Sequence, residues 1–166
     1  EKKEDYFLMV GRLMTYKRFD IVIEAFNKLG WPLKIIGGQG PDKKRLMKMA
    51  HSNIEFTGRL SDEQLSRTYA RAKAFIFPQE EDFGIVAIEA LASGKPIIAF
   101  RGGDIVEHVR EGQEGLFFDN QTPEALTEIL QKFNSDNFDS QKIRERALPF
   151  DREIFKDKIE SYVENS

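Results

Sequence analysis

Short apolar runs alternate with helically spaced segments from one end of this chain to the other, and that rhythm admits few folds. The runs lie at 6–10, 33–36, 54–57, 74–77, 97–100 and 115–118. Helical spacing falls between them, at about 17–29, 42–51, 62–73, 84–93 and 104–111, and further helices at about 123–133, 140–147 and 152–163 close the chain. The punctuation agrees. Ser61 and Asp104 stand at N-cap positions, Pro123 follows Thr122 as a first helical residue, and Ser93-Gly94 before Pro96 is a helix stop. Strands that alternate with helices must be joined by crossovers. The predicted fold is therefore α/β: a Rossmann-like parallel sheet of about six strands flanked by helices on both faces. At 166 residues the chain has room for one such domain, 1–166, and not for two.

Ligands of such sheets bind beyond the carboxyl ends of the strands. The segments there are 11–16, 37–41, 58–60, 78–83 and 101–103; four contain glycine and 78–83 runs into Gly84. Composition narrows the ligand. A net charge of −3 gives no general attraction for nucleic acid, so a bound anion must be held by a local cluster. With no cysteine, disulfides and thiolate metal sites are excluded. No apolar run reaches the roughly 20 residues of a membrane span, and the charged start, Glu1-Lys2-Lys3-Glu4-Asp5, has no signal-peptide core. A cytoplasmic protein is expected, with room for peripheral attachment at the cytoplasmic membrane face.

The segment 79–94 carries the most information. From Gly84 to Ala92 the predicted helix is apolar on every side except at Glu89, which reads as a buried helix bearing one carboxylate. An unpartnered buried carboxylate costs on the order of 3–5 kcal/mol, so Glu89 needs fixed donors. Ligand hydroxyls would serve, as would backbone amides of a neighbouring loop. Glu81 precedes the helix, and Phe83-Gly84-Ile85 opens it, bringing free N–H groups and the positive dipole end to the same crevice. In the first loop Arg12 directly follows a strand and Lys17 opens the next helix; two cations so placed can converge on one diphosphate.

The pattern Glu81-x7-Glu89 with Phe83-Gly84 inside it resembles the signature of retaining GT-B-fold glycosyltransferases, in particular family 4 (glycosyltransferases group 1). The resemblance covers nearly the whole chain but only the C-terminal, donor-binding half of that fold. It implies that Glu81 contacts donor-sugar hydroxyls and Glu89 the ribose. The run Gly11-Arg12-x4-Lys17 matches the family segment that grips the diphosphate, although Arg18 stands where the family often has glycine. Gly38-Gln39-Gly40-Pro41 resembles the family turn beside the nucleotide, and Arg59-Leu60 lies in the segment that receives the base. Arg12, Lys17 and Glu81 are thus the expected catalytic residues. Glu89, Phe83, Gly84, Ile85, Gly38, Gly40, Arg59 and Leu60 are the expected donor-binding residues.

No cofactor is expected. The donor the resemblance suggests is GDP-mannose, with a UDP-sugar next, and the expected partners are that donor and an N-terminal acceptor domain of the same polypeptide. The helix at about 150–166 would pack on that domain. No metal is expected either: Glu80-Glu81-Asp82 are adjacent and cannot easily converge on one ion, and His51 and His108 stand apart from any cluster. Asp104 with Glu107 reads as a capping box, and one extra residue separates Gly103 from Glu107 relative to the family pattern, which leaves a role for Glu107 open. A non-catalytic nucleotide-binding module and a nucleotide-sugar epimerase are the alternatives.

Overall fold

The computed structural model describes residues 4–82 and 84–150. Six strands form one parallel sheet: β1 Phe7–Val10, β2 Leu33–Ile36, β3 Ile54–Gly58, β4 Phe75–Phe77, β5 Ile97–Phe100 and β6 Gly115–Phe118, in the spatial order β3-β2-β1-β4-β5-β6. Every predicted strand is present. The helices are α1 Phe19–Leu29, α2 Lys43–Met49, α3 Asp62–Arg71, α4 Ile85–Ala92, α5 Ile105–His108, α6 Pro123–Lys132 and α7 Ser140–Ala147.

Alternation along the strands sorts the core into two layers. Phe7, Met9, Leu33, Ile35, Ile76 and Ile98 pack under α1, α2 and α6. Leu8, Val10, Phe75, Phe77, Ile97 and Ala99 pack under α3, α4, α5 and α7. Trp31 joins the first layer, its ring stacked on Phe7 at 5.9 Å. Two caps take the forms expected. Ser61 forms a reciprocal capping box with Gln64, and Thr122 accepts from the Ala125 amide with Pro123 in the first turn.

Two helices differ from expectation. The first begins at Phe19 and not at 17, because Arg18 adopts the left-handed conformation (φ 54, ψ 39) and separates α1 from a 3-10 turn at Thr15–Lys17. Arginine here takes up the geometry that glycine would supply without strain. The predicted helix at 104–111 is a single turn, Ile105–His108. Asp104 does not cap it; its carboxylate lies 2.6 Å from His108 Nε2, one turn on. Glu107 is exposed, and the capping box is absent. The expected helix at 152–163 and the charged start at 1–3 lie outside the described residues.

Candidate functional site

The strand order reverses between β1 and β4, so the loops leaving these neighbours part in opposite directions and open a crevice at their carboxyl ends. The loop after β1 carries Arg12 and Lys17; the loop after β4 carries Gln79 and Glu81. Lys17 Nζ donates to Glu81 Oε1 at 2.6 Å, although 64 residues separate them. Their side chains are 12% and 16% exposed, so water screens the pair only weakly. Lys17 reaches this position across Gly11, where any Cβ would stand 3.3 Å from Lys17 Cδ. Arg12, by contrast, is exposed, and its guanidinium has no ion pair or hydrogen bond among the described residues.

Glu81 is held from three sides. Gln79 is 1% exposed and donates from Nε2 to Glu81 Oε2 at 3.4 Å, while its own Oε1 is buried without a partner. The Asp104 amide donates to the Glu81 carbonyl at 3.1 Å. Gly103 lies so close that a Cβ there would meet that carbonyl oxygen at 2.7 Å. The 101–103 loop therefore supports the Glu81 backbone.

The glycine loops pack backbone against backbone on the other side of the crevice. Gly37, at φ 135, donates to the Gly58 carbonyl, and a Cβ on it would lie 1.9 Å from the Gly11 carbonyl oxygen. Only glycine fits there. Gly38 approaches Arg59, and Gly40 abuts Leu13 outside the cavity lining. Gly37 and Gly38, with Arg12, Arg59, Leu60, Asp62 and Leu65, line a cavity of about 430 Å³. Arg59 is exposed at its rim and Leu60 is half-buried.

A second cavity, of about 290 Å³, shares Asp62 and Leu65 with the first and is closed by Tyr69 and Glu89. The crevice therefore runs from the glycine loops to α4. Glu89 corrects one expectation. It is half-buried, and α4 is not covered all round: Ala87, Ala90 and Leu91 face the core, while Ile85 is 57% exposed. α4 lies on β4, β5 and α7 and leaves its other side to the crevice. Nor are backbone amides the partner of Glu89. Its Oε2 accepts from the Tyr69 hydroxyl at 3.1 Å. Burial first, then the charge and hydrogen bond of Glu89, push the Tyr69 hydroxyl well above the usual tyrosine range, so it remains a donor.

Gly84 sits against Phe77, where a Cβ would meet the ring at 2.8 Å, and with no side chain it leaves the first amides of α4 uncapped. Phe83 lies outside the described residues. Of the other residues singled out in the sequence, Arg12, Gly38, Arg59 and Leu60 line one cavity, Glu89 the other, and Lys17 and Glu81 join at the switch point. Tyr69 and Gln79 were missed. The spacing Asp62, Leu65, Ser66, Tyr69 on one face of α3 is the signal that could have found the first. Among the described residues no group of three or more His, Asp or Glu could hold a metal, and no helix is long and apolar enough to cross a membrane.

Comparison with known proteins gives a consistent picture. Residues 1–148 match the family described as glycosyl transferases group 1. The chain is 32% identical over 135 residues to a sulfoquinovosyl transferase of Arabidopsis thaliana, covering 78% of this chain and 26% of that protein. Identity to a GDP-mannose-dependent alpha-mannosyltransferase of Corynebacterium glutamicum is 38% over 111 residues, covering 66% of this chain and 26% of the relative. The chain thus spans about a quarter of the length of these curated relatives. Among solved structures, sucrose-phosphate synthase from Thermosynechococcus elongatus superposes with a TM-score of 0.78 at 26% identity, covering 87% of this chain and 41% of the other. The Anabaena protein HepE, solved with UDP, superposes with a TM-score of 0.79 over 99% of this chain and 50% of its own; at 19% identity that likeness concerns the fold alone.

Proposed function

The chain belongs to the glycosyl transferases group 1 family, and on that premise we propose that it is the donor-binding half of a retaining, metal-independent glycosyltransferase that takes a hexose from a nucleoside diphosphate sugar. The observation that carries the reading is the meeting of Lys17 and Glu81 at the switch point, with Arg12 of the same β1 loop lining a crevice that extends to Glu89. A non-catalytic module would have no need to keep these groups together.

The chemistry follows from charge. Transfer breaks the anomeric C–O bond and leaves its electron pair on the β-phosphate. Arg12, Lys17 and the open amides of α4 supply positive charge already in place for that oxygen, and one such group is worth ~3 kcal/mol of barrier. Glu81 orients the sugar hydroxyls and Glu89 the ribose. Gly38, Gly40, Arg59 and Leu60 border the base. Mannose from GDP-mannose is the preferred donor, supported by the likeness to the Corynebacterium mannosyltransferase; a UDP-sugar is next. A glycan or lipid-linked acceptor would bind an N-terminal domain of the same polypeptide, so the chain alone binds donor without transferring it, and works on the cytoplasmic side, in solution or at the membrane face.

Titration calorimetry with GDP, UDP and ADP, free and as sugars, tests this. One nucleotide series is expected to bind, more weakly to Arg12→Ala. Equal failure of all three on the full polypeptide would overturn the reading.

A further inference from the structure

α3 turns one face to the crevice. Asp62, Leu65, Ser66 and Tyr69 follow one another at the spacing of a single helical side and line the same cavity. Three of them border its open part. Tyr69 is different: it is 2% exposed, its ring lies against Phe75 at 5.7 Å, and its hydroxyl is fixed between Glu89 Oε2 at 3.1 Å and the Val86 carbonyl at 3.2 Å. A hydroxyl has one proton to donate. The Val86 carbonyl already serves the α4 ladder, and a charged acceptor binds more strongly than a neutral one, so the proton goes to Glu89.

The Glu89 carboxylate has no other hydrogen bond among the described residues, and its Oε1 is unengaged. A glutamate on an open helix face would otherwise move among rotamers and would have to be ordered when ligand arrives. The Tyr69 ring is locked by packing and its hydroxyl lies above the usual tyrosine range for deprotonation. The donor therefore stays in place whether or not ligand is bound.

We propose that Tyr69 is a positioning residue for nucleotide recognition: by holding Glu89 Oε2 it leaves Oε1 oriented to accept from the vicinal ribose hydroxyls of the donor. This rests on the donor-site reading above and adds a residue to it. It also makes the sugar of the nucleotide, and not its base or phosphates, the part that Tyr69 serves.

The test compares GDP and UDP with their 2′,3′-dideoxy counterparts by calorimetry, on the wild-type chain and on Tyr69→Phe, which keeps the ring and removes only the oxygen. Wild type is expected to prefer the ribonucleotide by ~30-fold, the worth of hydrogen bonds to a charged group. In Tyr69→Phe that preference is expected to fall to roughly fivefold or less, through weaker ribonucleotide binding, with the dideoxy affinity unchanged within about twofold. On a Glu89→Gln background the same substitution is expected to add little. Equal weakening of ribo and dideoxy forms would mean a structural role only and would overturn the proposal, as would an undiminished preference. No ribose preference in wild type, or no binding, would overturn the donor-site reading and the proposal with it.

Discussion

Removing either partner of the Lys17–Glu81 pair should destabilise the protein yet move nucleotide affinity in opposite directions. The pair is 2.6 Å apart, with side chains 12% and 16% exposed. Breaking a buried pair costs about 3–5 kcal/mol and a surface pair about 0–1. This exposure places Lys17–Glu81 toward the buried end, at ~2 kcal/mol for Glu81→Gln, where an amide oxygen can still accept, and ~3 for Lys17→Met. For a domain of this length the melting temperature should fall by about 4–8 °C and 6–12 °C respectively. Binding separates the two. A diphosphate must compete with the Glu81 carboxylate for Lys17, so Glu81→Gln should bind free GDP or UDP ~3–10-fold more tightly, while Lys17→Met loses a cation and binds ~10–30-fold more weakly. Glu81→Gln should also lose any added affinity that the sugar confers. Differential scanning fluorimetry and calorimetry on the same preparations measure both effects. A parallel loss of nucleotide affinity in the two variants would refute the idea that Glu81 and phosphate share Lys17.

Other consequences can be checked as directly. Arg12→Ala removes an exposed guanidinium that has no partner among the described residues, so its melting temperature should stay within ~2 °C of wild type while nucleotide binding weakens ~10-fold or more. Gly37→Ala would place a Cβ 1.9 Å from the Gly11 carbonyl; a loss of ~3 kcal/mol or more in a urea titration, with nucleotide binding lost alongside, is expected. At the opposite end of the sheet, burial works to raise the Glu114 carboxyl, but hydrogen bonds from the Arg110 guanidinium and amide outweigh it and hold the group below the usual glutamate value of 4.5. Its folded-state value lies below the unfolded one, so its contribution is present above pH ~4.5 and is lost as pH falls through the lower folded value. Glu114→Gln should therefore be less stable than wild type at pH 7 by ~2 kcal/mol and show a shallower decline below pH 4.5 in urea midpoints.

The six strands were legible because most of them are nearly continuous apolar runs, as strands covered on both faces must be. Ser61 and Thr122 were legible because caps act within one turn. Where a contact spans the chain, the sequence was silent. Arg12, Lys17 and Glu81 were singled out, but nothing local says that Lys17 and Glu81 touch across 64 residues. Glu89 shows the same limit: a helix apolar at every position but one looks buried, and its composition does not reveal that one side of α4 is left to a crevice. Tyr69 donates to Glu89 from a different helix, so neither residue's neighbours announce the bond. In sequence Arg18 differs from the family pattern only by its side chain; its φ of 54 is a property of the folded turn. Asp104 sat where a cap belongs, and His108 one turn later offered a better partner for its carboxylate.

The most direct measurement is amide chemical-shift mapping of the isotope-labelled chain on titration with GDP-mannose and, in parallel, UDP-glucose. A donor site at the β1/β4 switch point should perturb Gly11, Arg12, Gly38, Arg59, Glu81, Ile85 and Glu89 together, and leave Gly112, Gln113 and Asn134 at the far end of the sheet unmoved. Saturating shifts confined to that far end, or none with either donor, would contradict it.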